Sequence, residues 1–360
     1  MKFIQRLTIV TSSFFLILNT ISCSGQNKSK TVKSEDSFGT IVTELPQRIW
    51  AIFQDKNDNY WFGSNGYGVY MFDGNTITKY TKEDGLIDDA IRGVQDDAQG
   101  NLYFETPAGI SIYDGKAFTT LKLPQIVDKN WQLLDDDLWF NTNGSANDIY
   151  RFDGEKFSLL QLPDQDLTHL IGAKDGRKSM VFTYNAYSVF GVDKDKSGNL
   201  WLGTINAGAF RFNGENFMWF DEEELGTLPD GRVPGVRSII QDKEGYFWLS
   251  NIVSKYKITS DNTYEKLPGI DLSQHNVDIE LPYFMSSVLD DSNDLWMLSY
   301  GDGLWKYDGK DLTQFNFEED NNYVNLMTIY KDNNGKLWVG TDNGSVYVYN
   351  GSEFEKWSIK

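Results

Sequence analysis

From about residue 38 onward, apolar and polar residues alternate in short runs. The last stretch is typical: KLWVGT, then SVYVYN, then FEKWSI. Alternation with a period of two marks strands that bury one face. The runs are separated by Asp-Gly or Asn-Gly pairs, at Asp73-Gly74, Asp114-Gly115, Asp153-Gly154, Asn213-Gly214, Asp308-Gly309 and Asn350-Gly351. Such pairs suit two-residue hairpin turns, whose central residues need positive φ. The pattern predicts successive antiparallel hairpins.

The hairpins repeat. One aromatic recurs at Trp61, Tyr103, Trp139, Trp201, Trp248, Trp296 and Trp338, at intervals of 42, 36, 62, 47, 48 and 42 residues. An aspartate stands six residues earlier in six of the seven copies: Asp55, Asp97, Asp195, Asp242, Asp290 and Asp332. Behind the aromatic comes a small pair in several copies, Gly63-Ser64, Gly203-Thr204 and Gly340-Thr341. Each copy reads as four strands, and four strands per unit of this length is the pattern of propeller blades. The fold expected for 38–360 is therefore an all-β, seven-bladed β-propeller with four antiparallel strands per blade. The third and fifth copies are degenerate: Asp135-Asp136-Asp137 replaces a Gly-Asn turn, and the fifth lacks its Asp-Gly turn. The repeated Trp and Asp read as structural. A mid-strand Trp buries a large area, and an Asp at a strand end accepts backbone N–H groups of the next turn.

The segments GVDKDKSGNLWLGTINAGAFRFNGENF (191–217) and IYKDNNGKLWVGTDNGSVYVYNGSEF (329–354) resemble the two-component regulator propeller repeat. Tyr80-Thr81-Lys82-Glu83-Asp84-Gly85-Leu86 resembles that family's connector between blades. The resemblance spans 49–357 and departs from WD40 repeats, whose Gly-His and Trp-Asp marks are missing in phase. It implies a sensor, since such propellers commonly form the periplasmic part of hybrid two-component regulators. With no transmembrane helix, kinase or DNA-binding segment in the sequence, the chain is expected not to signal by phosphotransfer on its own.

The first residues have another character. Lys2 and Arg6 precede the apolar run LTIVTSSFFLILNTI, which has the layout of a secretory signal and is shorter than a membrane-spanning helix. The run ends at Thr20-Ile21-Ser22-Cys23, which resembles a bacterial lipobox with Thr20 in place of the usual Leu. The resemblance implies a signal peptide at 1–22, lipidation of Cys23, and a polar tether at 23–37. Ser24 after the Cys matches the outer-membrane sorting pattern, so an outer-membrane lipoprotein is expected, on either its periplasmic or its surface side.

Composition removes several function classes. Asp plus Glu is 52 against 33 for Lys plus Arg, a net charge of −19, which repels phosphate backbones and disfavours nucleic acid as a partner. A single Cys leaves no disulfide framework or Cys-based zinc site, and only His169 and His275 are available as imidazoles. No cofactor and no metal are expected. Asp193-Lys194-Asp195 resembles the start of a calcium loop, but Thr204 stands where the bidentate Glu should be. No nucleophile elbow, HExxH, P-loop or dinucleotide fingerprint occurs, so the chain leans away from an enzyme and no catalytic residue is assigned.

In a propeller the blade connectors and the turns between second and third strands share one face. The connectors 81–90, 161–186, 221–235 and 268–284 are long and dissimilar, and variable loops on a rigid frame are where binding residues concentrate. Of the Arg residues after the tether, Arg48, Arg92, Arg177, Arg232 and Arg237 fall in connectors or at first-strand starts. The candidate ligand-binding set is Arg48, Trp50, Arg92, Trp131, Tyr187, Phe190, Arg237 and Tyr283. Guanidinium with aromatic rings suits a carboxylated or sulfated sugar; the alternative is that these Arg residues pair with the abundant acids. The leading reading is a lipid-anchored extracytoplasmic binding or sensor module for an extracellular glycan. Two others stay open. One is a scaffold that docks an envelope protein partner, and the other is a polysaccharide lyase or hydrolase. Contact with the membrane is expected through the lipid anchor alone.

Overall fold

The alternating runs pair across the predicted turns in the computed structural model, which describes residues 38–121, 132–141, 148–167, 186–222, 225, 235–299 and 301–359. From the centre outward, the first blade comprises Ile49–Gln54, Tyr60–Ser64, Val69–Phe72 and Ile77–Tyr80. The second comprises Gly93–Asp96, Leu102–Thr106, Gly109–Tyr113 and Phe118–Leu121. The third has, among the described residues, Leu138–Asn141, Asp148–Phe152 and Phe157–Gln161. The fourth is Val189–Lys194, Leu200–Thr204, Ala209–Phe212 and Phe217–Phe220, and the fifth is Ile239–Gln241, Phe247–Leu249, Ser254–Ser260 and Thr263–Pro268. The sixth is Phe284–Leu289, Leu295–Ser299, Leu304–Tyr307 and Leu312–Phe315, and the seventh is Leu326–Lys331, Leu337–Thr341, Val346–Tyr349 and Phe354–Lys356. All pairings are antiparallel, and the fold is the expected seven-bladed β-propeller. The degenerate fifth copy makes a full blade, whose outer hairpin turns at Asp261-Asn262. The signal peptide expected at 1–22, the tether at 23–37 and Cys23 lie outside the described residues, as do Trp131, His169, Arg177 and Arg232.

The repeated aromatic is the wedge between blades. Seven apolar clusters are formed, one in each gap of the ring. Each contains the second-strand aromatic of one blade packed against the next blade: Trp61 against Leu102 and Phe104, Trp201 against Phe247, Trp338 against Ile49 and Phe62. These Trp side chains are almost wholly buried. Burying one bulky side chain contributes roughly 1.5–3 kcal/mol.

The aspartate six residues earlier does two jobs with one carboxylate. Oδ1 of Asp55 accepts from the Asn57 and Asn59 backbone N–H groups at 2.8 and 3.0 Å, as the sequence suggests. Its Oδ2 also accepts from Trp61 Nε1 at 2.9 Å. The same clasp joins Asp195 to Trp201 (3.1 Å), Asp242 to Trp248 (2.9 Å), Asp290 to Trp296 (2.8 Å) and Asp332 to Trp338 (2.8 Å). In the second blade the Tyr103 hydroxyl takes the indole's place at 3.0 Å from Asp97. A buried indole N–H needs an acceptor, and the turn supplies it. Asp195 is therefore fully used by Asn199, Trp201 and Arg211, which fits the structural reading of the calcium-like stretch.

The third blade departs from the pattern. Leu133 stands six residues before Trp139, and Asp137 works instead with Arg151 from the next strand, through Nε at 2.7 Å and Nη2 at 2.6 Å. Both side chains are buried.

The ring closes between the seventh and first blades by side chains and connectors. Tyr60 donates to Asp332 at 2.7 Å, Asn333 N to Gln54 Oε1 at 2.8 Å, and Arg48 N to the Asp342 carbonyl at 3.0 Å. The seventh blade supplies all four of its own strands, and Thr40–Val42 is a fifth, outer strand on the first blade, paired with Ile77–Tyr80. Phe38 packs its ring 5.0 Å from Tyr80 and 5.8 Å from Phe118, so this segment spans the first and second blades.

Candidate functional site

Second-to-third-strand turns and blade connectors share one face, as expected. Asn65 N donates to the Arg48 carbonyl, Gly66 N to Asp89, Ile205 N to Ser188 and Ile252 N to Pro282. A cavity of about 1420 Å³ opens among these connectors and runs along the inner strands.

What points into that channel is decided by a repeated irregularity. The inner strand shifts register between Ile49 and Ala51, Val189 and Gly191, Phe284 and Ser286, and Leu326 and Thr328. A bulge places one extra residue in a strand and re-aims its side chain. The extra residues are Trp50, Phe190, Met285 and Met327, and all four line the channel. Arg92 and Arg237 occupy the corresponding place in the second and fifth blades, after Ile91 and Val236, and line it too. The six described blades with this position thus contribute a collar of one residue each: Trp, Arg, Phe, Arg, Met and Met. The Arg237 guanidinium lies 4.6 Å from the centre of the Phe190 ring. Trp50 Nε1 and Ser188 Oγ are buried near this collar without a hydrogen-bond partner among the described residues. Ser188 itself is 6% exposed.

A second irregularity adds polar groups. Two residues after the second-strand aromatic stands Gly63, Gly203 or Gly340, because the next blade comes too close for a side chain. A Cβ on Gly340 would meet the Ile49 carbonyl oxygen at 2.9 Å. In the second and third blades that position is Glu105 and Asn141. Asn141 Nδ2 donates to Glu105 Oε1 at 3.0 Å, and both residues line the channel. Burial raises the Glu105 carboxyl above the usual range, while Asn141 and the Arg92 charge act in the opposite sense. Gln95, also on the lining, bridges to the inner edge of the third blade by donating to the Trp139 carbonyl at 2.8 Å and accepting from its N–H at 3.2 Å.

The described lining is acidic. Its basic residues are Arg92, Lys194 and Arg237. Against them stand Glu105, Asp135 and Asp193, and from the connector face Asp278, Glu280, Asp302 and Asp342; Asp137 is neutralised by Arg151. Desolvation pushes the Asp193 carboxyl up to about 6, although the residue as a whole is exposed.

Four members of the sequence-predicted set, Trp50, Arg92, Phe190 and Arg237, come together on the lining. Three others do not. The Arg48 side chain stands half-exposed beside Asp342, with Nε 4.0 Å from its carboxylate, on a backbone with φ of 62°. Tyr187 is buried in the core with Phe210, and its hydroxyl accepts from Gln165 N at 2.7 Å. Tyr283 is buried and bridges to Asn251. Their aromatic or cationic character was visible in the sequence; their direction was not. Met285, Met327, Glu105 and Asn141 were missed. The last two could have been found by asking which copies lack the glycine two residues after the aromatic. His275, in a connector, accepts from Leu312 N through Nδ1 at 3.4 Å and is not among the channel-lining residues.

One rim element is moored firmly. The hairpin Glu318–Glu319 and Asn322–Tyr323 turns through Asp320 and Asn321, with φ of 52° and 62°. Glu319 fixes it by accepting from Tyr347 Oη (2.6 Å), Lys356 Nζ (3.0 Å) and Asn343 Nδ2 (3.2 Å). The hairpin presents Tyr323, 77% exposed, at the channel. Burial alone would raise the Glu319 carboxyl, but donors from Ser345, Tyr347 and Lys356, with the lysine charge, pull it down to about 2. A carboxyl lowered by folding stabilises above its unfolded value and loses that contribution as pH falls through its folded value. Glu319→Gln should therefore lower stability by about 1–2 kcal/mol at pH 7. In melting curves against pH the gap should close between about 4.5 and about 2; a gap independent of pH refutes this role.

Comparison with known proteins accords with this architecture. The two-component regulator propeller family model matches residues 43–66 and 318–343, on either side of the ring closure. No curated protein matches the sequence. Among solved structures, the extracellular domain of BT4673 from B. thetaiotaomicron, described as a hybrid two-component system, is 19% identical with a TM-score of 0.58. That match covers 87% of this chain and 40% of that one, so the chain spans well under half of that domain. Virginiamycin B lyase from Staphylococcus aureus is 13% identical, with a TM-score of 0.57 over 89% of this chain and 97% of that one. PorZ, a surface component of the type-IX secretion system of Porphyromonas gingivalis, is 15% identical, with a TM-score of 0.54 over 87% of this chain and 50% of that one. At these identities the likeness is one of fold. The chain is a seven-bladed β-propeller, two segments of which are similar to the two-component regulator propeller repeat.

Proposed function

We propose that the protein is an extracytoplasmic binding or sensor module whose ligand, an extracellular oligosaccharide, enters the channel from the connector face. The observation that carries this is the collar. Side chains from six blades converge on one cavity of about 1420 Å³, with polar wall groups beside them. Concave sites lined by aromatic and apolar groups with a few placed polar ones are the usual form of a small-ligand site. The repeat type, which it shares with sensor propellers, supports the reading. In this reading Cys23 carries acyl chains and holds the propeller at the outer membrane through the tether; the intact mass of the membrane-extracted protein checks this.

The test is a panel of neutral, uronate and sulfated oligosaccharides mixed with the purified protein, followed by melting temperature, ultraviolet absorbance and reducing ends. A rise in melting temperature without product is expected. New product would mean turnover and replace the binding reading with a lyase or hydrolase. No response to any sugar would sink the glycan reading and favour a protein-docking scaffold.

A further inference from the structure

Resting on the reading above, we propose that the channel takes an uncharged, hydroxyl-rich ligand, a neutral oligosaccharide, and turns away uronates and sulfated sugars. Charge comes first. Six acidic residues face three basic ones on the described lining once Asp137, neutralised by Arg151, and Asp342, which stands beside Arg48, are set aside. In a narrow site walled by low-dielectric protein, that excess repels an entering anion more strongly than it would in open water. Rejection of this kind gives specificity without any added attraction for the correct ligand.

The two guanidinium groups of the collar do not form an anion clamp. The Arg237 guanidinium carbon lies 4.6 Å from the centre of the Phe190 ring, a cation–π contact that holds it against the wall. Arg92 stands beside Glu105, whose carboxyl feels its charge. Bidentate capture of a carboxylate needs the guanidinium fork turned to the ligand and no competing acid beside it. The same two cations weigh against a positively charged ligand at the collar.

What the wall does offer matches hydroxyl groups, which both donate and accept. Glu105 accepts and Asn141 donates, and the pair is already oriented by its own 3.0 Å hydrogen bond. These residues occupy positions that are glycine in three other blades, so the polar pair is a local departure from the repeat. The buried Ser188 Oγ, without a partner among the described residues, adds a group that donates or accepts. Trp50 in the collar, and Tyr323 on its moored hairpin at the rim, supply aromatic surface for the C–H face of a sugar ring.

The experiment is calorimetric titration of the purified protein. Neutral hexasaccharides of glucose and mannose are compared with an oligogalacturonate and a heparin-derived oligosaccharide of matched length. A neutral member should bind at least about tenfold more tightly than either anion. Its affinity should change by less than about twofold between 50 and 500 mM salt, because no ion pair is formed. Tyr323→Ala, an exposed change that leaves the melting temperature in place, should weaken binding on the order of tenfold, and Glu105→Gln by a few-fold. If an anionic sugar binds as tightly as the neutral ones, or if both variants bind normally, the inference fails while the binding-module reading stands. If no sugar of any class binds, both fall together.

Discussion

Arg151→Met destabilises the propeller by about 3–5 kcal/mol, more than any exposed substitution. The Arg151 guanidinium reaches Asp137 through two contacts, at 2.7 and 2.6 Å, and Asp153 through Nη1 at 3.3 Å. Removing it leaves the Asp137 carboxylate with 0% side-chain exposure and the Leu134 N–H at 2.8 Å as its remaining donor among the hydrogen bonds described. An unpaired charge in that place costs far more than the pair contributes. The double variant Asp137→Asn with Arg151→Met should therefore be more stable than Arg151→Met alone, since it removes the charge that the single change strands. Denaturant unfolding of the two singles and the double measures the coupling. Strictly additive losses would mean that the pair does not act as a unit, and that the third blade is held by other contacts.

Gly203→Ala is the second large effect, on the order of 3 kcal/mol. A methyl group there would overlap the Val236 carbonyl oxygen and lie 2.8 Å from Val236 Cγ1 in the next blade. Backbone of an adjacent inner strand cannot swing aside as a flexible side chain can. The strain must spread through the interface where Trp201 stacks on Phe247 at 4.2 Å. Gly93→Ala is the matched control. It sits on an inner strand, and a Cβ there would meet nothing nearer than Glu105 at 4.0 Å. That variant should melt within a degree or two of the parent. Equal losses at the two positions would point to a general penalty for replacing glycine and remove the close-approach argument.

Much of this architecture is legible in the sequence, because a propeller states its plan seven times. The phase of the second-strand aromatic gives the blade count, and Asp-Gly turns give the strand breaks. The i, i+6 spacing of Asp and Trp is also plain. What the spacing does not say is that one carboxylate caps the turn and binds the indole at once. The site is less legible. Trp50, Arg92, Phe190 and Arg237 come together because they hold equivalent places at the start of the inner strand, yet Met285 and Met327 hold the same place and carry no chemical flag. Tyr187 and Tyr283 lie near that position in sequence and turn into the core instead. Both stand just ahead of the inner strands that begin at Val189 and Phe284, outside the strand itself, so proximity in sequence does not fix the side chain's direction. Asp135-Asp136-Asp137 looked like a degraded turn; its third member is the buried partner of Arg151.

Ligand that enters the connector-face channel should rest against the collar. Amide hydrogen exchange of the purified protein, with and without a saturating neutral oligosaccharide, tests it most directly. Protection should rise in the inner strands around Trp50, Arg92 and Phe190, along 102–106 and 138–141, and in the rim hairpin at 318–323. Protection confined to the opposite-face turns, such as 56–59 and 98–101, or to the outer strands, would contradict it.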